Sequence, residues 1–354
     1  MSTFIQLHLL TSYPPSNLNR DDLGRPKTAV MGGKTRLRVS SQSLKRAWRT
    51  SDLFESALAG HIGTRTKKMG VEIYKNLCAK GVVETKAKEF AIKIVEFFGA
   101  TESADKEKPL KELESSQLVH FNQSEIKGLT DLADKIARDG KLDTDELKNF
   151  VAKRYDVDVS MFGRMLTGKE VVKVTNDPEA AVQVAHAITV HEVAVEDDYF
   201  TAVDDLNKGG DELGAAHIGE TEFAAGLFYI YVCVNRDLLL QNLGNDKALA
   251  DNALGALVEA AAKISPSGKQ NSFASRARTS YMLAEKGNDQ PRSLSVAFLK
   301  PVKAEDILAK AVEELEKRRD LFDAVYGPCA DDRRVMNAET GKGSLNDIIS
   351  FVKE

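Results

Sequence analysis

Cysteine is scarce in this sequence. The three that occur, Cys78, Cys233 and Cys329, are far apart, odd in number and include no CxxC pair. That excludes a disulfide frame and a cysteine zinc site, and it fits thiols kept in a reducing cytoplasm. Long apolar runs are missing too. No segment reaches the roughly 18 consecutive apolar residues of a membrane helix. The opening MSTFIQLHLLTSY has neither the basic region nor the small-residue cleavage site of a secretory leader. The six histidines form no HExxH and no pair with cysteine at metal spacing, and His186 and His191 fall on opposite faces of one strand pattern. No GxSxG marks a nucleophile elbow. The nearest approach to a phosphate loop is GRMLTGKE, with Gly163, Gly168 and Lys169 in place. It fails because Glu170 stands where Ser or Thr would hold magnesium, and the strand-like VVKVT follows where a helix should begin. These absences leave a cytoplasmic globular protein with no expected membrane span, cofactor, metal or catalytic set.

The 354 residues, 42% hydrophobic and 29% charged, suffice for one large domain with insertions or for two domains. Residues 3–12 alternate as a first strand, with Ile5, Leu7 and Leu9 on one face and Gln6 and His8 on the other. After a polar loop punctuated by Pro and Gly, TRLRVS alternates again, placing Leu37 and Val39 on one face and Arg36 and Arg38 on a cationic one. SSQSLKRAWR then reads as a helix capped by Ser40 or Ser41. From about Asp52 to Arg154 helical spacing dominates and prolines nearly vanish. Strand patterns return in KEVVKVT, in AAVQVAHAITVHEV with Val182, Val184, His186, Ile188 and Val190 on one face, in AAGLFYIYVCVNRD and in SLSVAFLKPV. KALADNALGALVEAAAKI, AEDILAKAVEELEKRRDLFDAV and SLNDIISFVK read as helices. Strands that do not alternate strictly with helices, plus a separate helical block, give an α+β class with a helical insertion.

Charge is distributed unevenly. The formal net charge is -4, yet Arg20–Arg49 holds nine cations (Arg20, Arg25, Lys27, Lys34, Arg36, Arg38, Lys45, Arg46, Arg49) against Asp21 and Asp22. Ser40, Ser41, Gln42 and Ser43 add groups that bond phosphate and 2′-hydroxyl without adding charge. Lys45 and Arg49 are four apart and share a helix face, with Arg46 about 100° around it. The cationic bias covers loop, strand and helix alike, which fits a phosphate backbone better than a merely solvated surface. The opposite pole is 192–222, ten acids against Lys208 alone. It lies between two strands, is too long for a tight turn, and carries interspersed Tyr199, Phe200, Val203 and Ile218, so it reads as a protruding arm.

The words PSNLNRDD, GGKTRLRVSSQSLKRAWR, GRM, AHAIT-H, DYFTAVDDL, HIG-TEF-AGLFY and GKQNSFA, in this order along nearly the whole chain, closely resemble the CasC family. These are the backbone subunits of the type I-E CRISPR Cascade surveillance complex. The resemblance implies an RRM-type (ferredoxin-like) palm with a helical fingers insertion and a protruding thumb loop. The palm would take 1–54, 156–191 and 223–354, the fingers 55–155 and the thumb 192–222. Copies would stack head-to-tail along one CRISPR RNA, together with the large, small and guide-end-binding subunits, and the guide would pair with a target DNA strand. Arg20, Lys27, Ser40, Gln42, Ser43, Lys45 and Arg49 match the family's RNA-facing motif. Lys34, Arg36, Arg38, Arg46 and Arg164 join that set. Phe200, Thr201, Val203 and Ile218 match the thumb's tip and base-wedging positions, and Met165 matches an apolar wedge beside a displaced nucleotide.

The resemblance implies a binding protein rather than an enzyme. An alternative is a backbone subunit that cleaves target RNA with a metal held by a loop aspartate, as type III relatives do, for which Asp21 or Asp22 is the candidate. A free-standing RRM-like regulator is a third option, and it lacks the aromatic spacing of an RNP1 strand.

Overall fold

The computed structural model describes residues 2–149, 155–174, 178–202 and 217–354. The chain opens with β1 (Phe4–Ser16), β2 (Thr28–Met31), β3 (Lys34–Val39), α1 (Ser41–Arg49) and α2 (Asp52–Ala57). Then come β4 (Thr64–Thr66), α3 (Met69–Ala79), α4 (Glu84–Phe98), β5 (Val119–Phe121) and α5 (Gln123–Asp139). They are followed by α6 (Thr144–Asn149), α7 (Val157–Phe162), α8 (Lys169–Val174), β6 (Val182–Val184) and β7 (Ala187–Thr189). Next are β8 (Glu196–Ala202), β9 (His217–Asn235), α9 (Arg236–Asn242), α10 (Lys247–Lys263) and α11 (Gln270–Phe273). The chain ends with β10 (Thr279–Gly287), α12 (Ile307–Tyr326), β11 (Asp332–Asn337) and α13 (Leu345–Lys353). This is an α+β protein. Among the described residues no helix is long and apolar enough to cross a membrane.

Two compact units divide the chain. The first takes residues 1–54, 183–235 and 254–354. Its antiparallel sheet has the order β11-β10-β1-β9-β7-β3-β2. β1 is covered on both faces. Leu7 pairs with Val232 and Ala284, and all three are buried on one side. On the other side, as the alternation places them, lie Gln6 and His8. They are buried because they have partners: His8 Nδ1 lies 2.8 Å from the Tyr229 hydroxyl and Nε2 lies 3.1 Å from Glu285. Tyr231 donates to Gln6 Oε1 over 2.9 Å. Burial holds the His8 imidazole below its usual range of protonation. Tyr229, Tyr281, Leu294, Phe298, Ala311 and Leu315 complete this layer, bringing α12 onto the sheet.

The second unit takes residues 55–182 and 236–253. Its core joins α3, α4 and α5 through Ile73, Leu77, Phe90, Ile94, Phe98, Leu129, Leu132 and Ile136. Two of the expected strands prove otherwise. In KEVVKVT, Lys169–Val174 is the helix α8, where Glu170 and Lys173 pair at helical spacing and Val171 enters the core, while Thr175 lies outside the described residues. SLSVAFLKPV, in the first unit, forms only a 3₁₀ turn at Ser295–Phe298. The long strand expected through 182–190 is broken between β6 and β7, so His186 is exposed while Ala187 and Thr189 turn inward.

Candidate nucleic-acid interface

The basic stretch folds as a loop, a hairpin and a helix, and local hydrogen bonds brace it. Lys27 N donates to Asn19 O over 2.8 Å, and Ser40 N donates to Asn19 Oδ1 over 2.9 Å. Asn19 therefore staples the loop to the start of α1. Inside the loop the Asp21 carboxylate accepts from Leu23 N, Arg25 N and Arg25 Nε. These bonds, the Arg25 backbone amide first, hold its carboxyl below the usual range. Asp21 thus serves a turn. Among the described residues no group of three His, Cys, Asp or Glu could hold a metal ion.

Ser40 is the N-cap of α1, its hydroxyl accepting from Ser43 N over 3.3 Å. The helix buries Leu44, Ala47 and Trp48, has no acid in its first turn and carries Arg46 and Arg49 in its last. Gln42 and Arg46 are exposed, while Ser43, Lys45 and Arg49 are half-buried. Partial burial pushes the Lys45 ammonium down from its usual pKa. Arg20 is exposed in the loop, and Lys27 is half-buried. On β3, Lys34 pairs with Glu192 at 3.1 Å, and the Arg38 guanidinium lies 3.1 Å from His186 Nδ1. Partial desolvation and the cations Arg38 and Lys27 hold the His186 imidazole below its usual pKa, which suits it to accept from Arg38.

Arg36 departs from the expected cationic face. It is fully buried, donating to Thr189 O over 2.9 Å and to Phe298 O over 3.0 Å. Its charge satisfies carbonyls inside the fold, so it presents no donor to an external phosphate. Arg164, in the second unit, is likewise inward: its side chain is buried and forked onto Glu125 at 2.7 and 3.0 Å. Its neighbour Met165 is 71% exposed.

Two further basic segments adjoin the hairpin and the loop. A Cβ on Gly32 would lie 1.8 Å from Leu299 O, so the β2–β3 turn presses directly on the 299–303 loop with its exposed Lys300 and Lys303. A Cβ on Gly268 would lie 2.3 Å from Leu18 O, which brings in the loop carrying Lys269, Arg276 and Arg278. Lys269 and Ala274 there hold left-handed backbone at φ 50° and 48°, a conformation non-glycine residues rarely keep without cause. The usable signals were LKPVK and the cluster in GKQNSFASRAR, neither of which alternates or repeats.

The acidic arm is built by β8 pairing with the first part of β9, whose remainder pairs with β1. One strand thus runs from the arm into the centre of the sheet. Phe200 stands opposite Gly219, and its ring lies where a Gly219 Cβ would be, 2.3 Å from that position. Tyr199, on the alternate face, is 64% exposed and Phe200 43%. Thr201 pairs with Ile218. Val203 lies outside the described residues, as does the side chain of Ile218. At the root, Asn17 Nδ2 donates to Gly24 O and Glu222 O, both over 2.9 Å, tying the basic loop to the arm.

Two solved structures resemble the chain along its length, each covering 99% of both partners. A chain of a structure described as "CRISPR RNA-guided surveillance complex, pre-nicking" is 32% identical, with a TM-score of 0.84. Another, described as "CRISPR RNA-guided surveillance complex", is 27% identical, with a TM-score of 0.72. No curated protein matches the sequence. The family model of the CT1975-like proteins matches residues 5–350, a span that includes the basic hairpin, the helix after it and the arm. The resemblance to a CRISPR surveillance-complex subunit is borne out, and the chain belongs to the CT1975-like protein family.

Proposed function

We propose that this chain is the repeated backbone subunit of a type I-E Cascade-type complex and holds CRISPR guide RNA irrespective of its sequence. The observation that carries this reading is the braced cationic face, on which loop, β3 and α1 present lysines and arginines around a serine-capped helix start free of acid. Such a face meets phosphates and sugars and leaves bases free, so that sequence is read by pairing with a target DNA strand. Lys300, Lys303, Arg276 and Arg278 extend it. In this reading the first unit contains an RRM-type palm, the helical block is the fingers, and the arm is a thumb that reaches a neighbouring copy stacked head-to-tail. Met165 and the arm's aromatic residues displace nucleotides at intervals, as apolar wedges do in architectural proteins. Contacts between unlike surfaces of identical chains extend into filaments. The complex works in the cytoplasm beside its sister subunits, and this subunit performs no chemical step.

Replacing Lys45 and Arg49 together by Ala tests the reading. RNA affinity is expected to fall alike for unrelated guides, and the slope of log affinity against log salt to lessen by about 1.4, the value for two lost single-strand phosphate contacts. A loss confined to one guide sequence would sink it. So would periodic cleavage of paired RNA in magnesium that Asp22→Ala abolishes.

A further inference from the structure

Met165 projects from a strap, residues 163–168, with no regular secondary structure. Both ends of the strap are pinned. Gly163 N donates to Val159 O over 2.8 Å with φ at 74°, and Gly168 N donates to Phe98 O over 3.0 Å. Gly168 sits so close to α4 that a Cβ would lie 2.1 Å from Phe97 O. Between the pins the side chains alternate. Arg164 and Leu166 point inward, and Met165 and Thr167 are exposed. Leu166 enters the α4–α5 core.

Arg164 is held more elaborately than a strap requires. Both its terminal nitrogens grip Glu125, NH1 also donates to His120 O over 3.1 Å, and the guanidinium lies 5.5 Å from the centre of the Tyr155 ring. Glu125 is itself fixed, since its carboxylate accepts from Asn122 N over 2.8 Å in the capping box of α5. A planar fork between two immobilised groups sets direction as well as energy. The side chain it flanks is a long, polarizable apolar group exposed to water, of a kind that packs well against flat rings.

We infer that the Arg164–Glu125 fork aims Met165, making both residues positioning residues for the contact at which a guide nucleotide is displaced. Arg164 thus acts on RNA through its neighbour and touches no phosphate. This inference rests on the guide-binding reading above, in which Met165 meets a base.

The test uses the assembled ribonucleoprotein and 2′-hydroxyl acylation of its guide, which reports unstacked nucleotides. The native complex is expected to give reactive nucleotides at regular spacing, and Met165→Ala to erase that pattern while RNA still co-purifies. Arg164→Lys keeps the charge and loses the fork, and is expected to weaken the same pattern with unchanged RNA content, at some cost in unfolding temperature. A merely structural role would lower the unfolding temperature just as much and leave the pattern sharp in the folded complex. Glu125→Gln asks the same question should Arg164→Lys not fold, and loss of fold in both overturns the inference. A pattern that survives Met165→Ala overturns the wedge reading and this inference with it. A pattern lost in Met165→Ala but intact in folded Arg164→Lys and Glu125→Gln overturns the inference alone.

Discussion

The basic segment from Asn19 to Arg49 and the acidic arm from β8 into β9 differ in how each is held together. Within the first, Asn19, Asp21 and Ser40 each satisfy backbone donors locally, so the cations sit on a frame already complete. The second is a two-stranded ribbon, marginal by itself, and it sets Asp197 directly opposite Glu222. Like charges so placed oppose pairing. One surface carries its cations on a braced frame. The other draws stability from its root in β9 and carries a repulsion that an opposite charge would relieve.

Arg36→Ala tests the frame of the basic segment most severely. It orphans the Thr189 and Phe298 carbonyls inside the fold, each a loss of about 1–3 kcal/mol. Urea unfolding is expected to show a destabilisation of about 3 kcal/mol, with RNA affinity of the folded fraction unchanged. The exposed Arg46→Ala is expected to do the reverse, leaving stability within about 0.5 kcal/mol and weakening RNA binding. Equal stability for the two variants would mean that Arg36 does not belong to the interior.

Next in size is Gly219→Val in the arm. The new Cβ would occupy the Phe200 ring's place, and overpacking of this kind costs about 1–3 kcal/mol. The cost should stay local. Limited proteolysis of the arm is expected to speed up several-fold while the main unfolding transition holds its midpoint. A shift of the whole transition would show that arm and sheet unfold as one.

Much of this is legible in the sequence, within a definite limit. The alternation of TRLRVS marks Leu37 and Val39 as buried, and the Ser40 cap and α1 follow from SSQSLKRAWR. Alternation says which residues share a face, yet it cannot say whether that face is covered. Hence it groups Arg36 with Arg38 and His8 with Gln6 without showing that Arg36 and His8 are buried, because their partners lie at Thr189, Phe298, Tyr229 and Glu285, far along the chain. β10 carries apolar residues on both faces and shows no period to find. The valines of KEVVKVT fit either period over so short a span, and burial of Val171 decides for helix.

Ser40→Ala has a smaller effect and separates the frame from its charge. Loss of the cap is expected to cost about 1 kcal/mol of stability without changing any cation. RNA affinity should fall less than in the double variant Lys45→Ala with Arg49→Ala, measured at matched salt. A larger fall would mean that the helix start, and not the cations, dominates binding.

The smallest expected effect is the sharpest test of the arm. Asp197→Asn relieves the cross-strand repulsion with Glu222, a gain of about 0.2–1 kcal/mol. Hydrogen exchange at Asp198 and Thr221, the next pair along the ribbon, should then slow in the isolated chain. The gain should vanish near 1 M salt, where screening acts over about 3 Å. In assembled complexes the same variant should bind its neighbour more weakly, because the charge that burdens the free arm is the charge a basic surface would answer. Faster exchange of the arm in Asp197→Asn would mean that Asp197 already has a favourable partner within its own chain, and the contrast between the two regions would fail at that point.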